Sequence, residues 1–280
     1  MKKSIKFALV LILVGAIMVV GAILGGANVK KNFIGNLNME SEVKNEEFPA
    51  INKLNLDLKV YSVEILPSDD VDVIQVQYDE TTSFGKLKYS LSFEVKNDEL
   101  YIREISDRKV DINIDVPPFG NLFKGNKLIL MVPEKITGNI NQELGSFKVV
   151  NVTLEDLNYK TEMGSIDLIQ VKAVNSKLET NMGSFDIKDS ICENLNLETE
   201  MGSIDYSGTL LGTNDFSTKM GSLELELEQK RNDISLNLKT EMGEIKVDGE
   251  KGSIKEDKIS KKAYLKAETE MGSIDIDFLK

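Results

Sequence analysis

Oxygen and sulfur ligands recur at fixed spacing in the second half of this chain. Residues 161–168 read TEMGSIDL, and five close variants of that phrase follow, each built around one glycine. Three positions after the glycine stand Asp167, Asp186, Asp205, Glu224, Lys246 and Asp275. A row of carboxylates can hold calcium or magnesium, weakly where each ligand is monodentate and hydrated. Lys246 interrupts the row, however, and the nine-residue GGxGxDxUx calcium repeat is absent. For Asp167, Asp186, Asp205, Glu224 and Asp275 a solvated surface therefore outweighs a calcium site, and no other cofactor is expected. One position before the glycine is methionine, from Met163 to Met271, and three before is threonine, from Thr161 to Thr269. Thioethers can bind copper or record oxidation, but flexible packing at a corner explains the methionines better. The threonines suit strands and predict hydroxyl contacts between rungs.

Catalysis finds few candidates. The chain has no His, no Trp and a single Cys, so the commonest general base and metal ligand is missing. Neither GxSxG nor GxxxxGK[ST] occurs, and the expectation is a protein that is not an enzyme. Cys192, in SICEN, is read as a small buried hydrophobe; alone it makes neither an internal disulfide nor a zinc site.

These rows need elements that hold them in register. The glycines fall at Gly145, Gly164, Gly183, Gly202, Gly221, Gly243 and Gly272, with four intervals of 19 residues followed by 22 and 29. A fixed period near twenty marks a solenoid, whose units stack because none buries its apolar face alone. Before the glycine the apolar positions are seven and five back, as in Leu157/Tyr159 and Leu195/Leu197. After it they are two and four on, as in Ile166/Leu168 and Phe185/Ile187. The apolar phase slips by one at the glycine. A straight strand cannot do that without turning Ser and Asp inward, so each phrase reads as strand, corner, strand, with glycine tolerating the corner. The predicted fold is all-β: a right-handed parallel β-solenoid with coils of about 19 residues, its rungs about 4.8 Å apart.

The N-terminal part differs. Phe7 to Leu24 is an unbroken apolar run after Lys2, Lys3 and Lys6, and the small residues to Ala27 extend it. That length spans a bilayer and exceeds the apolar core of a signal peptide. Gly25-Gly26-Ala27 also reads as a small-residue cleavage site, so cleavage stays open as the alternative. The excess of positive charge before it predicts a cytoplasmic N-terminus and an extracytoplasmic body. The expected organisation is a cytoplasmic tip over 1–6, a single transmembrane helix over 7–27 and a tether over 28–50. Irregular N-terminal β-coils follow over 51–140, then the Gly-Ser repeat solenoid over 141–280, with the segment DGEKGSIKEDKISKK looping out.

Of 34 basic side chains five flank the anchor, which leaves the body with 29 against 46 acidic ones, a net −17. Such a body repels nucleic acid and attracts cations, cationic peptides included. The chain stops at SIDIDFLK with no evident cap, which predicts an open final rung able to pair with a partner protein or a second copy.

The opening KLNLDLKVYSVEILPSDDVDVIQV, the strand-then-proline KLILMVPEKI and the run of strand–Gly–Ser–strand units resemble the putative-adhesin β-strand-repeat family of bacterial envelope proteins, a domain of unknown function. The resemblance covers roughly residues 51–280. It implies a single-span, membrane-anchored protein of the cell envelope, and for some members a part in envelope stress through cationic antimicrobial peptides. It carries no catalytic residues to transfer. The expected function is thus a non-enzymatic, adhesin-like interaction module, with a cation- or peptide-binding stress sensor as the alternative.

Overall fold

The computed structural model describes residues 39–70, 72–83, 86–106, 126–252 and 262–278. The anchor expected over 7–27 lies outside them, as do the cytoplasmic tip and the first part of the tether. Among the described residues no helix is long and apolar enough to cross a membrane. Almost all the described residues belong to one compact unit within 41–81 and 87–280.

Each regular coil has three strands and three corners. In one coil these are Lys177–Met182, then 185–188, then 190–193, before the next coil opens at Asn196–Met201. Equivalent strands pair in parallel with no slip along the long face: Leu178 lies beside Tyr159 on one side and Leu197 on the other. The expected parallel solenoid is the observed fold.

The glycine corner joins the first strand to the second, and its stacking shows why the residue is glycine. A Cβ on Gly183 would stand 2.0 Å from the Gly164 carbonyl oxygen, and one on Gly164 1.8 Å from that of Gly145. Consecutive corners touch backbone to backbone, which excludes any side chain whatever the local dihedrals. The other two corners use a different device. Asn151, Gln170 and Asp189 turn the second strand into the third with φ between +49° and +54°, while Asp156, Asn175 and Asn194 turn the third into the next coil with φ from +48° to +55°. Most are Asn or Asp, the non-glycine residues that tolerate this left-handed region best. Both triplets repeat every 19 residues, a signal available in the sequence beside the glycines.

Inside the coils the predicted apolar positions are filled. Leu157, Tyr159, Leu178, Leu195, Leu197, Ile166, Leu168, Phe185 and Ile187 are all buried, and Phe147 stacks on Tyr159 with ring centroids 4.2 Å apart. Where a corner frees a buried amide, a buried polar side chain of the neighbouring coil receives it: Leu157 N donates to Ser176 Oγ at 3.3 Å and Leu195 N to Asn214 Oδ1 at 3.0 Å. Such partners matter because an unmet buried donor costs about 1–3 kcal/mol.

Chain order and spatial order part company at both ends. Lys53–Leu58 lies between Glu99–Ser106 and Lys135–Leu144, so the first coil is flanked by later chain on both sides. Beyond it the sheet turns antiparallel: Val73–Ser83 pairs with Lys127–Val132, and Lys86–Lys96 with Glu99–Ser106. Residues 39–49, expected within the tether, form a strand that pairs with Val73–Ser83. At the other end the last coil re-enters the stack. Ala263–Met271 pairs with residues 212–220 on one side and Ile234–Met242 on the other. The glycines therefore stack in the order 145, 164, 183, 202, 221, 272, 243.

That order overturns the open C-terminal rung. Ile274–Phe278 is flanked along its length by Leu223–Leu227 and over residues 274–276 by Ile245–Val247, so most of the last described strand is interior to the stack. The charged segment expected to loop out begins with a hairpin: Asp248 and Gly249 turn at positive φ, and Lys246 pairs antiparallel with Lys251.

Candidate functional site

With stacking accounting for the interior, the chemistry lies in rows along the surface. The carboxylate row is longer than the sequence order implies. Asp167 stands beside Asp186, Asp186 beside Asp205, Asp205 beside Glu224, and Glu224 beside Asp275. Lys246 follows Asp275 instead of separating it from Glu224, and Lys148 precedes Asp167. The row is thus five unbroken carboxylates closed by a lysine at each end. Lys246 reaches Asp275 at 3.8 Å and Lys188 reaches Asp186 at 2.5 Å.

Like charges one rung apart raise each other's cost of ionisation. Partial burial, reinforced by the neighbouring Asp186, pushes the Asp167 carboxyl above its ordinary value. Asp205 is pushed the same way by burial and then by Glu224 and Asp186. The carboxylates form a line, and among the described residues no group of three or more Asp, Glu or Cys side chains gathers around a point fit for a metal ion.

A depression of about 600 Å³ runs alongside this row, with Asp189, Ser207, Glu226, Glu228, Asp248 and Asp277 in its lining. Within it Asp277 stands beside Glu226, a neighbourhood set by the intercalated last coil.

The methionines and threonines depart from expectation. Packing at the corner predicted buried methionines. Met182, Met201, Met220 and Met271 are instead 41–43% exposed and Met242 63%, because each strand has already begun to turn outward one residue before the glycine. The threonine hydroxyls do not bond each other. Thr199 Oγ1 donates to the Gly183 carbonyl at 2.9 Å, Thr218 to that of Gly202 at 2.8 Å and Thr269 to that of Gly221 at 2.9 Å. Each such bond ties a corner to the next coil.

Cys192 is fully buried and unpaired. Burial pushes its thiol up to about 12, so the reactive thiolate is scarce near neutral pH.

A family model, Toastrack DUF4097, matches residues 51–280, the region that holds the glycine column and its stacked coils. The chain belongs to the Toastrack DUF4097 family. Comparison with curated proteins gave no match. Among solved structures, this Toastrack chain is similar to a putative cell adhesion protein from Clostridium sporogenes, at 16% identity and TM-score 0.35 over 85% of this chain and 100% of that one. It is similar also to a putative adhesin from Bacteroides fragilis, at 13% identity and TM-score 0.42 over 84% and 97%. A third, a putative lipid binding protein from Parabacteroides distasonis, has 13% identity and TM-score 0.33 over 87% and 98%.

Proposed function

We propose that this Toastrack protein is a membrane-anchored, extracytoplasmic interaction module of the cell envelope that presents rows of side chains to a partner and catalyses no reaction. The observation that carries this reading is the unbroken carboxylate row from Asp167 to Asp275, whose groups line up along the solenoid. The apolar run from Phe7 to Leu24 supplies the anchor, and the lysines before it set the body outside.

Asp205→Cys tests the placement, because its exposed thiol contrasts with the buried Cys192. In intact cells a membrane-impermeant maleimide labels this variant; labelling only after lysis refutes the extracytoplasmic body. The same row favours a second, more specific reading, in which the partner is a cationic peptide and binding reports envelope stress. Affinity for a basic peptide then falls steeply between low and physiological salt and falls at least tenfold in the triple variant Asp186→Asn, Asp205→Asn, Glu224→Gln. Binding indifferent to both refutes the peptide reading and leaves the anchored module to the labelling test.

A further inference from the structure

We propose that the methionine column is a binding site for a soft monovalent cation of the Cu(I) class. In spatial order the column runs Met163, Met182, Met201, Met220, Met271 and Met242, each beside the next in strand register. Five of the six are 41–63% exposed, so the column is presented to solvent. Thioether sulfur selects Cu(I) over the hard cations that carboxylates prefer.

The spacing suits such an ion. Successive rungs lie about 4.8 Å apart. Two metal–sulfur bonds of about 2.3 Å placed end to end span about 4.6 Å, close to the spacing of adjacent coils. Methionine has three rotatable bonds and can adjust the remainder. The charges beside the column favour a cation: Glu162, Glu200, Glu241 and Glu270 each precede a methionine of the row. Lys219 engages Glu200 at 2.5 Å and Lys239 reaches Glu241 at 3.8 Å, so Glu162 and Glu270 carry most of the negative charge beside the column. Six methionines taken in adjacent pairs hold about three ions.

The test uses the full-length chain with 13C-labelled methionine methyl groups, titrated in chloride-free buffer with Ag(I), which shares the soft character of Cu(I) without its redox chemistry. The methyl signals of Met182, Met201, Met220 and Met271 shift saturably, while that of Met131, which lies outside the column on Lys127–Val132, stays in place. Replacing Met182, Met201, Met220 and Met271 together by Leu leaves Met163 and Met242 without a methionine neighbour in the column, and bound silver falls by about three ions. Column signals that stay fixed at tenfold excess of Ag(I) overturn the proposal. So does undiminished binding by the fourfold variant, which would place the silver elsewhere. If that variant fails to fold, the methyl signals of the parent decide alone.

Discussion

Replacing Gly183 by Ala isolates the reason for the glycine column. The added Cβ would meet the Gly164 carbonyl oxygen at 2.0 Å, where contacts under 3.0 Å are essentially never seen. The two coils must therefore separate by at least about 1 Å at that corner. Two hydrogen bonds span it: Gly164 N to Met182 O at 2.9 Å, and Thr180 Oγ1 to Gly164 O at 3.3 Å. Overpacking costs about 1–3 kcal/mol and each weakened bond about 1 kcal/mol, which together make a loss of about 3–5 kcal/mol. For a domain of this size that is a fall of about 6–20 °C in melting midpoint. Far-ultraviolet circular dichroism on heating measures it. Gly252→Ala, where an added Cβ meets nothing within 4 Å, is the control and moves the midpoint by no more than about 2 °C. A Gly183→Ala midpoint within that same interval of the parent refutes stacking as the reason for glycine.

Three further outcomes follow from the same geometry. Thr218→Val removes the hydroxyl bond to the Gly202 carbonyl and costs about 1 kcal/mol in denaturant unfolding; no loss would mean the hydroxyl bond is not a tie between coils. Asp186→Asn lowers the carboxyl pKa values of both Asp167 and Asp205, since its charge contributes to raising each, and unchanged values by NMR titration refute the row. A carboxyl whose folded pKa is raised destabilises the fold in its ionised form, so its burden is present above that pKa and lifts as pH falls through it. Asp167 and Asp205 therefore favour a rise in stability from neutral pH toward the carboxylate range, and Asp186→Asn shrinks that rise in a melting series. Finally, Cys192, buried with its thiol pushed up to about 12, stays unmodified by a thiol reagent in the native state and reacts on unfolding; rapid native labelling would place it wrongly.

Much of this architecture is legible in the residues. The one-residue slip of apolar phase at Gly164 and its counterparts implies a corner, and the positions on either side of it, such as Tyr159 and Ile166, are buried as that slip requires. The outward ladder from Asp167 follows from the same phase. What the residues hide is neighbourhood. Periodicity tells which positions are equivalent but not which coils touch, and the intervals of 22 and 29 residues after Gly221 leave enough chain for the last coil to slip in ahead of the one before it. That single rearrangement moves Lys246 from the middle of the acidic row to its end. It also converts most of Ile274–Phe278 from an edge into an interior strand. The methionines were misplaced for a local reason: a period of two assigns Met182 to the inner face with Thr180, yet the strand bends outward before the pattern completes.

Cross-linking reads the spatial order of the final coils directly. Glu224 and Asp275 are register neighbours, about 4.8 Å apart and within reach of a disulfide. Glu224 and Lys246 are separated by an intervening rung, about 9.6 Å and beyond reach. The double variant Glu224→Cys, Asp275→Cys therefore closes a disulfide under mild oxidation, while Glu224→Cys, Lys246→Cys does not. Closure of the second pair and not the first would contradict the intercalated solenoid and the unbroken carboxylate row built on it.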